Sequence, residues 1–140
     1  KEGFMEFALS LIIGLTICLL IYTVFPNAQS LRPEYYPENL FGRLVKMLQG
    51  FDTPTNVCPS IHVYSTVAVH IAVMKSSRLK KIWWIRPASF VLAFLICAST
   101  VCLKQHSLTD VLWAFVLNVL VVLAFRGLHK SPRLTPFCHD

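Results

Sequence analysis

Four long apolar runs, separated by polar stretches, dominate the hydrophobic pattern of the chain. They cover about residues 4–25, 59–75, 82–103 and 107–126. Because an α-helix rises about 1.5 Å per residue, about 20 residues cross a hydrocarbon layer of about 30 Å. A soluble helical core would explain any one of these runs. Four of them, with few charges inside, predict an all-α polytopic transmembrane helix bundle with four spans.

Residues 26–58 interrupt this pattern with prolines, glycines and charges, which indicates a long loop between the first two runs. One short helix is predicted inside the loop, around residues 40–48. Its apolar residues recur at helical spacing: Leu40, Phe41, Leu44, Val45 and Leu48. Since no internal repeat divides the chain, we treat residues 1–140 as a single membrane domain.

The composition agrees with a membrane protein. The chain is 55% hydrophobic and only 14% charged, and its mean hydropathy of +0.59 is high for a soluble domain. A net charge of +6 can indicate nucleic-acid binding, but here most basic residues flank apolar runs instead of lying among aromatics on a polar surface. The expected partner is the membrane bilayer and not nucleic acid, and the oligomeric state stays unknown.

The basic residues also predict how the chain is oriented. If all four runs span, the chain ends and the 75–86 connection share one side, whereas the 26–58 loop and the 103–107 turn share the other. The first side holds these basic residues: Lys1, Lys75, Arg78, Lys80, Lys81, Arg86, Arg126, Lys130 and Arg133. The second side holds fewer: Arg32, Arg43, Lys46 and Lys104. By the positive-inside rule the 26–58 loop is extracytoplasmic.

A histidine begins two of the apolar runs, in Cys58-Pro59-Ser60-Ile61-His62 and in Lys104-Gln105-His106-Ser107-Leu108-Thr109-Asp110. Both motifs lie on the predicted extracytoplasmic face, where antiparallel helices can bring His62 and His106 together. Asp110 follows His106 by four residues and so shares its helix face. A carboxylate placed there can accept one imidazole N–H and fix the tautomer of the ring.

Two neighbouring residues favour an anion site at the same place. Ser60 follows Pro59 at a helix start, where free backbone N–H groups can bind an anion. Lys104 adds a positive charge beside His106. A nucleophile, an orienting acid and a second histidine as proton donor are the groups that phosphoryl transfer requires when no metal takes part.

Purely structural roles explain several of these residues one by one. Asp110 and Ser60 can be ordinary helix caps, and Lys104 can extend to the lipid headgroups. Arg32 can be a solvated loop charge. His70, isolated within the second run, is predicted to be a helix-packing residue.

Zinc binding is a sharper alternative, because one face holds two Cys/His pairs with a spacing of four residues. The pairs are Cys58 with His62 and Cys102 with His106. The positive charge of Lys104 argues against a cation site there. A disulfide between the same two cysteines is a further alternative.

The motifs resemble the signatures of the type 2 phosphatidate phosphatase superfamily. Pro59-Ser60-Ile61-His62 is similar to its second signature, and residues 99–110 are similar to its third, in which an aspartate follows a histidine by four positions. Leu31-Arg32-Pro33 is similar to the end of its first signature. The three occur in the family's order over roughly residues 4–126, and as a set they are specific.

The chain also departs from the usual signatures at several positions. Phe25 stands where the family has a lysine, Thr100 where it has an arginine, and Ile61 where it has a glycine. Lys104, two residues before His106, can supply the lost charge. This arrangement is similar to the branch that includes inositol phosphorylceramide synthases.

The resemblance implies a mechanism. His106 would be the nucleophile that forms a phosphohistidine, Asp110 would orient it, and His62 would protonate the leaving oxygen. The phosphate oxygens would be bound by three further residues: Arg32, Ser60 and Lys104. No metal and no other cofactor is implied.

The expected function is therefore that of an integral membrane phosphatase, active at the extracytoplasmic face, that hydrolyses a lipid phosphate or diphosphate monoester. A phosphotransferase that passes the group to an acceptor alcohol, as inositol phosphorylceramide synthases do, is the first alternative. A non-catalytic membrane scaffold is the second. Because members of the family typically have six spans, this chain is expected to lack the first two.

Overall fold

The structure is a computed structural model that describes residues 2–130 of the chain. It contains five α-helices and one 3-10 turn: α1 (Glu2–Val24), α2 (Leu40–Phe51), α3 (Ile61–Lys75), the turn Leu79–Lys81, α4 (Ile85–Cys102) and α5 (Leu108–Lys130). The described residues form no β-strand beyond one isolated bridge between Ala28 and Thr55. The all-α prediction is confirmed.

Four of the helices form an up-and-down bundle with α3 in the middle. α3 packs against α1, α4 and α5, and α1 also packs against α5. α1 ends and α3 begins at one end of the bundle, where α4 also ends and α5 begins. We call this the loop end, because it carries the segments 25–60 and 103–107.

Close packing of α1, α3 and α5 is centred on Tyr64, which is fully buried. Its hydroxyl donates to the backbone oxygen of Ser10 at 2.7 Å. Gly14 is needed beside it, since a Cβ at that position would overlap the tyrosine ring. The Asn118 amide of α5 donates to the Tyr64 backbone oxygen at 3.1 Å and so ties the third helix to the same point.

The surface of the bundle is that of a membrane protein. Three helices are long and apolar enough to cross a bilayer, namely α1, α4 and α5, while the apolar α3 is shorter. Large apolar side chains on their outer faces are exposed, such as Ile12, Phe94 and Leu112, each more than half exposed. Of the six polar residues that are buried in the described part of the chain, five gather at the loop end: Gln49, Ser60, Thr100, His106 and Asp110. Apolar groups outside and polar groups inside are expected where lipid replaces water.

Basic residues concentrate at the opposite end, on the connection between α3 and α4: Lys75, Arg78, Lys80, Lys81 and Arg86. There Lys75 forms an ion pair with Glu6 of α1 at 2.5 Å. Lys1 and Arg133, which also entered the orientation argument, lie outside the described residues. The assignment of the loop end to the extracytoplasmic side stays a prediction.

Candidate active site

The two motif histidines meet at the loop end. His62 is the second residue of α3, and His106 lies in the turn between α4 and α5. The Nδ1 atom of His62 is 3.4 Å from Nε2 of His106, and the ring centroids are 5.6 Å apart. His106 is buried, with 5% of its surface exposed, whereas His62 is exposed. The antiparallel arrangement of the helices therefore brings together the two residues that the sequence singled out.

A backbone carbonyl orients His106. The Nδ1 atom of His106 lies 2.9 Å from the Val57 oxygen. Because a carbonyl only accepts hydrogen bonds, Nδ1 carries the proton, and Nε2 has a free lone pair directed at His62. Burial lowers the pKa of His106, and the nearby His62 lowers it further, although the Val57 carbonyl and the Asp110 carboxylate act in the opposite direction. The ring is therefore held neutral with a defined tautomer.

Asp110 lies close to His106 but points mainly at the backbone. Its Oδ2 atom is 3.9 Å from Nδ1 of His106 and 2.7 Å from the backbone nitrogen of Ser107, which donates to it. The backbone nitrogen of Asp110 in turn donates to the Ser107 hydroxyl at 3.3 Å. This reciprocal pair is a capping box that starts α5. The sequence predicts that Asp110 accepts a hydrogen bond from the His106 imidazole. In the structure the Val57 carbonyl is the acceptor at Nδ1 instead.

The Asp110 carboxylate still acts on the site through its charge. It is buried, with 5% of its surface exposed, and it favours the protonated form of His106. Its other neighbour is the Cys58 thiol: burial raises the pKa of Cys58 to about 11, and the Asp110 carboxylate adds to the rise. Cys58 is therefore a neutral thiol at neutral pH.

Asn27, just beyond the end of α1, holds the segment that carries the Val57 carbonyl. Its side-chain oxygen accepts from the backbone nitrogens of Val57 at 2.7 Å and Cys58 at 2.9 Å. Its side-chain nitrogen donates to the Cys58 oxygen at 3.0 Å. One amide thus fixes both peptide groups next to the acceptor of His106. Sequence reasoning missed this residue, since a lone asparagine after a proline resembles any loop position.

Lys104 shapes the turn that carries His106. It adopts the left-handed conformation with φ of 53°, which is rare for residues other than glycine and asparagine. The backbone nitrogens of Gln105 and His106 both donate to the Thr100 oxygen, at 3.0 and 3.1 Å, and that of Lys104 donates to Val101 at 2.9 Å. This is the Schellman ending of a helix, in which glycine usually occupies the place of Lys104.

Ser60 and Arg32, the other two predicted phosphate ligands, have partners of their own. Ser60 is fully buried, and its hydroxyl accepts from the Val63 backbone nitrogen at 3.3 Å as the N-cap of α3. The guanidinium of Arg32 donates to the backbone oxygens of Gln49 at 2.6 Å and Asp52 at 2.5 Å, and pairs with the Asp52 carboxylate at 3.3 Å. In this state both side chains stabilise helix ends. The Nε atom of Arg32 is buried with no partner among the described residues.

Two glutamines attach the long loop to the turn before His106. The side-chain nitrogen of Gln49, on α2, donates to the Leu103 oxygen at 2.6 Å. That of Gln29 donates to the oxygens of Lys104, at 3.3 Å, and Gln105. The loop of residues 25–60 is therefore bonded to three consecutive carbonyls of the turn that precedes His106. Sequence reasoning singled out neither glutamine for this contact, and Gln49 carried no signal apart from its place on a predicted helix.

The side chains of the two Cys/His pairs are not arranged as a zinc site. Within residues 2–130, no group of three or more histidine, cysteine, aspartate or glutamate side chains is arranged to hold a metal ion. Cys58 and Cys102 are both free thiols. The four residues of the alternative thus form neither a ligand set nor a disulfide in this structure.

Comparison with known proteins identifies a family. The chain matches the PAP2 superfamily over residues 4–132, which is most of its length. Curated proteins and solved structures gave no match. The family match covers all the residues of the site, from Asn27 to Asp110.

Proposed function

The chain belongs to the PAP2 superfamily, the type 2 phosphatidate phosphatases that its motifs resemble, and we propose that it is a membrane phosphatase of lipid phosphate or diphosphate monoesters. Membership points to a membrane enzyme of the phosphatase or phosphotransferase type. We further propose that the substrate is a lipid, that the reaction passes through a phosphohistidine intermediate and that it requires no metal. The similarity to the inositol phosphorylceramide synthase branch stays a prediction.

One observation carries the proposal: a buried, neutral imidazole whose Nδ1 is held by Val57 and whose Nε2 faces a second imidazole at 3.4 Å. Nε2 of His106 has the free electron pair that a nucleophile requires. His62 lies where it can give a proton to a group leaving from the phosphorus. A buried histidine serving only for packing would not need a second imidazole at its free nitrogen.

The reaction follows from these positions in two steps. In the first, Nε2 of His106 forms a bond to phosphorus while the bond to the ester oxygen breaks, and that oxygen takes a proton from His62. In the second, water attacks the phosphohistidine, His62 takes back a proton, and phosphate leaves with Nε2 restored. Because 3.4 Å leaves no room for a phosphoryl group, the exposed ring of His62 must turn aside as substrate enters.

Lys104 is the proposed charge partner of the phosphate. A non-glycine residue in the left-handed conformation costs about 1–2 kcal/mol, and glycine would remove that cost at this helix end. Residues kept in such conformations cluster at functional sites. An exposed ammonium two residues from the nucleophile fits a phosphate-binding role.

The position of the site supports a lipid substrate. The histidine pair lies at the end of a bundle whose outer surface is apolar, hence at the depth where headgroups lie. A phosphate on a lipid reaches that depth while its tail remains in the hydrocarbon layer. A lipid phosphate in the membrane can therefore reach the histidine pair without leaving the bilayer.

The test is phosphate release from a panel of lipid phosphates by the protein in detergent with EDTA present. We expect His106→Ala to lower turnover at least about a thousandfold, since loss of the nucleophile removes the covalent route. His70→Ala is the matched control, because it removes a histidine from the same bundle away from the pair. Acid-labile phosphate on the wild-type protein, absent from His106→Ala, would identify the intermediate.

Other outcomes would replace the proposal. If product forms only when inositol or another alcohol is added, the protein is a phosphotransferase that uses the same histidine. If EDTA abolishes turnover, the reaction depends on a metal. If His106→Ala retains full turnover, the histidine pair is structural and the proposed mechanism is wrong.

A further inference from the structure

α2 has an apolar stripe that no part of the described chain covers. Six large apolar residues are exposed on it: Leu40, Phe41, Leu44, Met47, Leu48 and Phe51. At 3.6 residues per turn they fall on one side of the helix. Gly42 and Gln49, seven residues apart, are the buried residues of α2 and define the opposite side, which faces the protein.

The stripe is too apolar for a surface in water. Phe51 is 85% exposed and Phe41 is 76% exposed. Removing one leucine, methionine or phenylalanine side chain from water contributes about 1.5–3 kcal/mol, so six exposed ones on a 12-residue helix carry a large cost. Contiguous apolar patches of this kind indicate a protein or membrane contact.

The position of α2 connects the stripe to the lipid-facing surface of the bundle. Gln49 donates to the Leu103 oxygen at 2.6 Å, immediately after α4 ends. α4 has one buried residue, Thr100, and its exposed large apolar side chains lie between Phe90 and Leu95. The C-terminal turn of α2 therefore lies at the loop end, beside the end of a spanning helix and hence at the headgroup layer.

Basic residues flank the stripe. Arg43 and Lys46 are exposed and lie between the apolar side of α2 and the side that faces the protein. Lipid phosphates are anionic, and basic residues beside an apolar helix face are typical of helices that lie in the membrane interface. Charge complementarity therefore favours anionic lipid headgroups as the neighbours of Arg43 and Lys46.

From these observations we propose that α2 is an in-plane membrane helix, with its apolar stripe in the outer part of the acyl chains and Arg43 and Lys46 among the headgroup phosphates. The bilayer is thus a direct contact of the long loop as well as of the spanning helices. Through Gln49 and the Arg32 side chain, which donates to the Gln49 backbone oxygen at 2.6 Å, α2 fixes the depth of the turn before His106. This inference does not depend on catalysis by the histidines.

The test is quenching of tryptophan fluorescence by brominated phospholipid in nanodiscs made with the whole protein. Trp83, Trp84 and Trp113 are first replaced by phenylalanine, which is conservative because all three are exposed. Phe51→Trp and, in a second protein, Phe41→Trp then place one tryptophan on the stripe. Lys46→Trp, on the polar side of the same helix, is the control.

We expect both stripe variants to emit at shorter wavelength than the control and to lose at least about twice as much emission to bromines near the headgroups. Long-wavelength emission without quenching would show the stripe in water and overturn the inference. Short-wavelength emission without quenching would show that protein covers it, a second copy of the chain included, and would overturn it equally. If Lys46→Trp were quenched as strongly as the stripe variants, the inference would also be overturned. Since no turnover is measured, a failed phosphatase assay leaves the result unaffected.

Discussion

α3 carries two histidines, and their surroundings differ in a way that separates chemistry from packing. His62 lies exposed at the loop end with its Nδ1 3.4 Å from the free nitrogen of His106. His70, eight residues further on, has its Nδ1 3.0 Å from the hydroxyl of Ser89 on α4. The ring of Phe90 lies edge-on to it at 5.8 Å. A hydroxyl satisfies an imidazole, whereas a second imidazole with a free electron pair forms a reactive pair.

The surroundings of the two histidines also differ in polarity. Buried polar groups and three bonds from Asn27 to the neighbouring backbone fix the region of His62 and His106. His70 borders an apolar groove of about 200 Å³ between α3 and α4, with Leu92 and Ile96 among its lining residues. We therefore expect substitutions at the loop end to change activity more than stability, and substitutions at His70 to do the reverse.

The largest effect within this comparison is expected from His62→Gln. Loss of a general acid lowers the rate about 10²–10⁴-fold when the leaving group is an alkoxide. A nitrophenyl phosphate needs no proton on its leaving oxygen, so its turnover should fall much less. Measuring kcat for both substrates decides the point, because a merely structural histidine would slow the two equally.

The pH profile of the same variant sharpens the assignment. Burial and the like charge of His62 lower the pKa of His106, so the neutral nucleophile persists below the usual histidine pKa of about 6.5. The acid limb of kcat/KM should therefore lie below that pH in the wild type. Removing His62 removes one cause of the lowering, and the limb should move to higher pH. A shift in the opposite direction would contradict the assignment of His106.

The second effect in size is expected from Lys104→Gly, which should separate activity from stability. Loss of a charge that binds the phosphate lowers kcat/KM about a hundredfold. Glycine suits the left-handed conformation of this helix end, so the free energy of unfolding should rise by about 1 kcal/mol. Thermal unfolding in the same detergent and the turnover assay check both statements. Lower stability would show that the lysine side chain serves the fold.

Much of the fold could be predicted from the sequence, because its signals are local. The four apolar runs correspond to α1, α3, α4 and α5, and the spacing from Leu40 to Leu48 found α2. The motif spacing also found His62 and His106. Hydrophobic periodicity and motif order need no knowledge of distant contacts.

The contacts that complete the site could not be predicted in this way. Val57 acts through its backbone oxygen, which every residue has, and Asn27 reaches it across 30 positions of chain. Asp110 was predicted to bond to His106, but the helix start competes for the same carboxylate, and the Ser107 nitrogen holds it at 2.7 Å. Spacing shows which residues share a face, but not which of two donors an acceptor will bind.

A smaller effect is expected from Asn27→Ala, which tests how His106 is positioned. Without the amide the Val57 carbonyl can shift, and loss of alignment of the nucleophile should lower kcat about tenfold with little change in KM. Asn39→Ala is the matched control, since its side chain accepts from the Gly42 nitrogen at 2.7 Å as the cap of α2. That control should retain wild-type kcat. An equal loss of kcat in the two variants would mean that both asparagines serve only the folding of the loop.

The smallest effect on activity, and the clearest on stability, is expected from His70→Ala. The substitution removes one bond between helices and part of the packing on Phe90, so the free energy of unfolding should fall by about 1 kcal/mol. Turnover of the folded protein should stay within about twofold, because the side-chain contacts of His70 are with Ser89 and Phe90 on α4 and not with the pair at His106. Ser89→Ala removes the partner hydroxyl, and its loss of stability in thermal unfolding should be similar to that of His70→Ala. If His70→Ala lowers turnover as strongly as His62→Gln does, both histidines of α3 serve the reaction, and a hydroxyl partner no longer identifies a packing histidine.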